Sequence, residues 1–199
     1  MTTLLLTGYN DHFAPLGDLT APVMLSYAGK CGYDFKCFRH PGSAIEATWH
    51  KIQATLDGLA HYDRVLWIDA DILITNDTIR HEYDSGLHFS LDWGRDATER
   101  RHFSAGCYLI CRNAASMFSE VVAVQEEMMC KGEWEQEPLR ANYFRHKKLV
   151  TIHNRRVFGS VPSGVHESVV DPWQPGDWAA HFTMVPLEER VRMCKEMLS

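Results

Sequence analysis

Short apolar runs alternate along this chain with apolar residues at helical spacing. Thr3 to Thr7 (TLLLT) reads as a buried strand, followed by a turn at Gly8, Tyr9 and Asn10. Val23, Tyr27 and Cys31 mark one face of a helix from Thr20, with Gly32 placed as its C-terminal cap, and Asp34 to Phe38 follows as a strand. The strongest helical pattern is Ser43 to Ala60. Ser43 and Glu46 form a capping box there, and Ile45, Trp49, Ile52, Leu56 and Leu59 make one stripe. That helix leads into YDRVLWIDADILITN, Tyr62 to Asn76, where Val65 to Ile68 has the character of a strand buried on both faces. Further strands are expected at Leu87 to Leu91, Phe103 to Cys111 and Leu149 to Ile152, with a charged loop over Gly94 to Arg101.

Asn113 is positioned to cap a helix running to Cys130 and closed by Gly132. Pro138 suits the first position of another helix, through Arg145, leaving Glu135 and Gln136 in the loop before it. After a loop-rich stretch from Ser160 to Gly176, Leu187, Val191, Cys194 and Leu198 give a terminal amphipathic helix. Strands alternating with helices specify an α/β fold, and residues 1–199 are expected to form one domain.

Composition narrows the function. At 199 residues, with 45% hydrophobic and 23% charged residues, the chain buries a core without needing disulfides or metals for stability. A net charge of −6, with His146, Lys147 and Lys148 as a lone basic patch, argues against nucleic acid as a partner. Six cysteines show neither zinc-site spacing nor a disulfide framework and are expected to be reduced. No run approaches the roughly 20 apolar residues of a membrane span, and Met1 to Thr7 is too short for a secretory signal, so a soluble, cytoplasmic protein is expected.

The candidate chemistry starts at the end of the Val65 strand. Asp69 and Asp71 flank Ala70, and residues two apart in extended chain face the same side, so the two carboxylates call for a cation between them. Hard oxygen ligands at that spacing suit Mg2+ or Mn2+, an ion that holds diphosphate, although two solvated acids in a turn have the same sequence. Lys51 lies off its helix's apolar stripe, either reaching a phosphate held by the acids or solvated. Thr7 to Asn10 occupy the ligand edge expected after a first parallel strand, where Tyr9 is a stacking partner for a base or an ordinary surface tyrosine. His181, in WQPGDWAAHFTM, is either structural or the imidazole ligand that joins carboxylates around a manganese-like ion.

YDRVLWIDADILITN, FSAGCYLICRN, WEQEPL and PGDWAAHF, in this order and at these separations, resemble the GT-A nucleotide-sugar glycosyltransferases. The likeness is to the fungal and plant galactosyl-, mannosyl- and xylosyltransferase family and, more distantly, to the glycogenin group, and it runs from about Ser43 to Phe182. It implies a single-domain, Rossmann-like GT-A fold with a mixed, mostly parallel sheet between helices. It also implies Mn2+ or Mg2+ on Asp69, Asp71 and His181, and a UDP-sugar donor, in preference to a GDP-sugar, against Thr7, Gly8, Tyr9, Lys51, Asp69, Ala70 and Asp71. Asp92 would lie near the donor sugar or acceptor, with Gln136 and Glu135 beside the anomeric carbon, and transfer to a glycan or glycoprotein would retain configuration. Two departures are Ser104, where the family usually has Asn or Asp, and the lack of the Golgi relatives' membrane anchor.

Two rivals compete. Asp69-Ala70-Asp71-Ile72-Leu73 also resembles the first motif of haloacid-dehalogenase-type phosphatases, with Asp69 as nucleophile, although Gly176-Asp177 lacks the second late acid which that family uses. The other rival is a non-catalytic module that binds nucleotide-sugar without turnover, a reading the small size invites.

Overall fold

The computed structural model describes residues 1–92, 103–166, 169 and 171–199; the charged stretch expected at Gly94 to Arg101 lies outside them. A six-stranded sheet has the order β2-β1-β3-β6-β5-β7, built from β1 (Thr3–Asn10), β2 (Asp34–His40), β3 (Arg64–Ile68), β5 (Leu87–Leu91), β6 (Phe103–Cys111) and β7 (Val150–His153). β6 runs antiparallel to both its neighbours, and every other pairing in this sheet is parallel. This is the mixed, mostly parallel α/β sheet expected from the sequence. A separate two-stranded ribbon joins β4 (Ile72–Ile74) to β8 (Ala179–His181), with Ile72 opposite His181.

The two-residue period of the strands sorts the core. Leu4, Leu6, Val65 and Trp67 pack with Trp49, Ile52 and Leu59 of α2 (Ala44–Leu59), on the face that also receives α3 (Ala115–Val122) and α5 (Gln136–His146). Leu5, Leu66 and Ile68 point the other way, to Met24 and Tyr27 of α1 (Ala14–Cys31) and to Trp178. All of β3 is buried, as a strand covered on both faces must be. The final helix, labelled α6 after the short α4 (Gln125–Cys130), spans Leu187–Leu198 and packs on α1.

The Ser43–Glu46 capping box and the Gly32 cap are present, Gly32 at φ +71°. Four expected boundaries move. Gly8 to Asn10 are not a turn but the end of β1, paired with Phe38 to His40, because the parallel ladder continues to the sheet edge. α1 starts at Ala14, not Thr20: Pro15 is tolerated in its first turn, and the helix runs on through Pro22 because Leu16, Thr20 and Met24 bury one face. Asn113 caps no helix. Its Oδ1 accepts from the backbone N–H of Gly86 at 2.9 Å, and the segment divides into a 3-10 turn at Arg112–Ala114, then α3, then α4. α5 begins at Gln136, not Pro138, because Glu135 already has helical backbone angles and accepts from the N–H of Leu139.

Candidate active site

The acids stand where β3 ends. The chain does not stay extended between them, as assumed from the sequence, but turns at Ala70: the N–H of Ile72 donates to Asp69 O at 3.1 Å, and Thr20 Oγ1 donates to Ala70 O at 2.8 Å. Both carboxylates nonetheless face one cleft, because β4 is held by β8. The Ile72–His181 register and a bond from Phe182 N to Asp71 O at 2.8 Å bring His181 Nε2 to 3.4 Å from Asp71 Oδ1. The antiparallel course of β6 brings its first residues to the same end of β3, where Asp69 N donates to Gly106 O at 2.7 Å. A Cβ on Gly106 would lie 3.0 Å from His181 Cε1 and 3.3 Å from Asp69 Oδ2, so the glycine forms the floor of the space these groups share.

Each acid has an internal cation. Asp69 Oδ1 accepts from Trp67 Nε1 at 2.6 Å and lies 3.5 Å from Lys51 Nζ. Lys51 is not solvated: it is 2% exposed, and its ammonium also meets Glu135 Oε1 at 2.7 Å and Ala105 O at 3.0 Å. Asp71 Oδ2 is 2.5 Å from Arg190 Nη1, contributed by α6. Burial pushes Asp69 up to about 6, with Lys51 pulling it down and Asp71 pushing it further up. Burial acts on Asp71 in the same sense, yet the charge and hydrogen bond of His181, with Arg190, outweigh it and hold that carboxyl below its usual range. His181 moves the opposite way, since burial would lower it but Asp71 and Asp69 raise it.

The donor set of two carboxylates and an imidazole around a glycine floor fits a hard divalent ion in chemistry. As the side chains stand, with Lys51 and Arg190 engaging the acids, no three His, Cys, Asp or Glu groups among the described residues are close enough to hold one.

The cleft has two adjoining lobes of about 320 and 260 Å³ that share Thr48, Lys51, Asp69, Asp71, Trp134 and Thr183. Gly8, Tyr9 and Ala70 line the first, whereas Thr7 is fully buried and is not among its lining residues, with its hydroxyl unpartnered among the described residues. Tyr9 is 7% exposed; its hydroxyl donates to Asp18 at 2.9 Å, its ring packs on Gly17, and the Arg39 guanidinium lies 4.3 Å from the ring centroid. Asp92, Glu135 and Gln136 line the second lobe. Asp92 Oδ2 is paired with Arg140 Nη2 at 2.7 Å, and Gln136 Oε1 accepts from Ala105 N at 2.8 Å.

Sequence reasoning passed over Arg190 and Trp134. Arg190 looks like any charged residue on the outer face of a terminal helix. Trp134 carried a signal, as a large aromatic in a polar loop, and its 46% exposure at the junction of the lobes is unusual for its size.

No protein-family model matches this chain, and no curated protein matches it in sequence. Solved structures do match it in fold. A glycosyltransferase involved in glycosylation of the major capsid of PBCV-1 is similar at a TM-score of 0.71 and 14% identity, covering 98% of this chain and 100% of that one. The galactosyltransferase LgtC, in complex with donor and acceptor sugar analogues, is similar at 0.59 and 14%, covering 98% and 96%. Drosophila β1,4-galactosyltransferase 7, a mutant complex with manganese, UDP-Gal and xylobiose, is similar at 0.52 and 15%, covering 96% and 74%. The chain has the GT-A fold of these glycosyltransferases.

Proposed function

We propose that this protein is a metal-dependent glycosyltransferase that moves a sugar from a nucleoside-diphosphate sugar, a UDP-sugar in the first instance, to a hydroxyl of a glycan or glycoprotein. The observation that carries the reading is the convergence of Asp69, Asp71 and His181 over Gly106 at the junction of a two-lobed cleft. The fold supports it: the LgtC structure holds donor and acceptor sugar analogues, and the Drosophila enzyme holds manganese and UDP-Gal.

Asp69, Asp71 and His181 would hold Mn2+ or Mg2+. The ion would supply Lewis-acid neutralisation of the departing diphosphate. Gly8, Tyr9 and Asn10 line the lobe suited to the nucleotide, and Lys51 adds positive charge beneath the acids. Gln136, its carbonyl oxygen fixed by Ala105 N, presents an amide group in the lobe suited to the sugar, with Asp92 and Glu135 alongside. A polar group there can stabilise an oxocarbenium-like centre, and transfer with retention is the outcome we expect.

The phosphatase reading would require a second late acid beside Asp69. His181 stands there instead, and Asp177 is turned away to Ser160 Oγ and Arg156. Among the described residues no helix is long and apolar enough to cross a membrane.

The test is release of nucleoside diphosphate from UDP- and GDP-sugars with Mn2+, with and without glycan acceptors. Asp71→Asn and His181→Ala are expected to reduce release at least about 100-fold, on the scale of losing a charge-stabilising group. No release with any donor would leave a binding module, and variants as active as the parent would refute the site.

A further inference from the structure

Arg190 reaches the acids from a part of the chain that the proposed reaction does not otherwise use. It sits in the first turn of α6, where its backbone N–H donates to Pro186 O at 3.1 Å and its Nε donates to Val185 O at 2.8 Å. That second bond sets the direction of the guanidinium, which meets Asp71 Oδ2 through Nη1 and lies 5.6 Å from the centroid of the Phe13 ring. The side chain is 18% exposed and lines the nucleotide-side lobe together with Asn10, Phe13 and Asp69. Its Nη2 makes no hydrogen bond among the described residues, so part of a planar fork well suited to phosphate is available at the cleft.

Two ligands therefore compete for one carboxylate. A divalent ion coordinated by Asp71 would displace the guanidinium from it, and a displaced guanidinium beside an anion-binding lobe is a contact for diphosphate. We propose that Arg190 is the resident counter-ion of Asp71 in the metal-free protein and a diphosphate contact in the donor-bound one. Metal and nucleotide binding are then coupled through this side chain: an arginine that opposes the ion alone favours the ion and nucleotide together, and the coupling is reciprocal. Arg192, two residues on, has no such role; it pairs with Glu189 and Glu196 on the outer face of the helix. This inference rests on the donor assignment above.

Calorimetric titrations separate the two. MnCl2 alone, then UDP and GDP in the presence of Mn2+, are titrated into the wild type, Arg190→Met and Arg190→Gln, with Arg190→Lys as the charge-retaining control and thermal unfolding as the check on folding. Removing the guanidinium is expected to tighten Mn2+ binding without nucleotide about tenfold and to weaken the better-binding nucleotide about tenfold, the size of one moderate coupling. Arg190→Lys should stay within roughly threefold of the wild type for nucleotide, since the charge survives while the fork is lost. Mn2+ affinity unchanged or reduced in both neutral variants overturns the inference, as does unchanged nucleotide affinity. A wild type that binds neither Mn2+ nor either nucleotide would overturn the donor assignment itself, whereas a wild type that binds both and neutral variants that match it would overturn this inference alone.

Discussion

Replacing Lys51 by Met should be among the most damaging single changes in this protein, although Met is nearly isosteric and the position is in a helix interior. The ammonium is 2% exposed and the Glu135 carboxylate 3% exposed, with 2.7 Å between them. At an effective dielectric of about 20 their attraction is roughly 6 kcal/mol, an amount offset by several kcal/mol of desolvation for each ion. The net worth of the pair is therefore small, but loss of one partner is not. Lys51→Met strands Glu135 and removes the nearest cation from Asp69, at an expected cost of about 3–5 kcal/mol. Glu135→Met alone should cost less, because Lys51 keeps Asp69 and Ala105 O. The double variant, with neither charge, should recover at least about 2 kcal/mol relative to the sum of the singles. Urea unfolding without metal or nucleotide, followed by circular dichroism and tryptophan fluorescence, measures all four corners of the cycle. A Lys51→Met cost below about 1 kcal/mol, or additivity of the two changes, would show that the two buried charges do not depend on each other and refute the argument.

Gly106→Ala should cost about 1–3 kcal/mol and depress Mn2+-dependent diphosphate release more than tenfold, since the new methyl meets His181 and Asp69; full activity would show that the floor is not shared. Gly17→Ala sets two effects against each other. Alanine favours the helix by up to about 1 kcal/mol, but its Cβ would come within 2.5 Å of the Tyr9 ring, so thermal unfolding should show a net loss, and a gain would mean the ring moves freely. Burial pushes His81 down to about 3, with its ring against Phe158 and Trp178, so the unfolded state binds the extra proton between about pH 6.5 and 3. Stability is therefore complete above that window and falls as the solution is acidified, by about 2 kcal/mol from pH 7 to 5 through His81 alone; His81→Phe should flatten that slope in urea titrations.

Much of this architecture could be read before any coordinates, because its signals are local. The capping box at Ser43, the stripe from Ile45 to Leu59 and the buried run Val65 to Ile68 each depend on neighbouring residues, and all three are found as expected. What escaped depends on distant partners. Asn113 has the chemistry of a cap, but the unsatisfied N–H of Gly86 reaches it first. Lys51 reads as a solvated lysine or a phosphate contact, and its burial shows only when Glu135 and Ala105 are folded over it. Arg190 differs from Arg192 only in which side of α6 meets the cleft, and the helix's own pattern does not say what lies opposite.

The ribbon of β4 and β8 also sets an order of events. Every strand of the main sheet has been synthesised once His153 leaves the ribosome, whereas the imidazole that completes the acidic site and the guanidinium that guards it come from the last part of the chain. One face of the sheet also waits for that part of the chain, because Phe158 and Trp178 pack against Leu5, Leu66 and Ile68. Trimming that removes β8 and α6 should therefore take Trp178, Phe182 and Cys194 out of the core together with His181 and Arg190, so that site and stability are lost in one step.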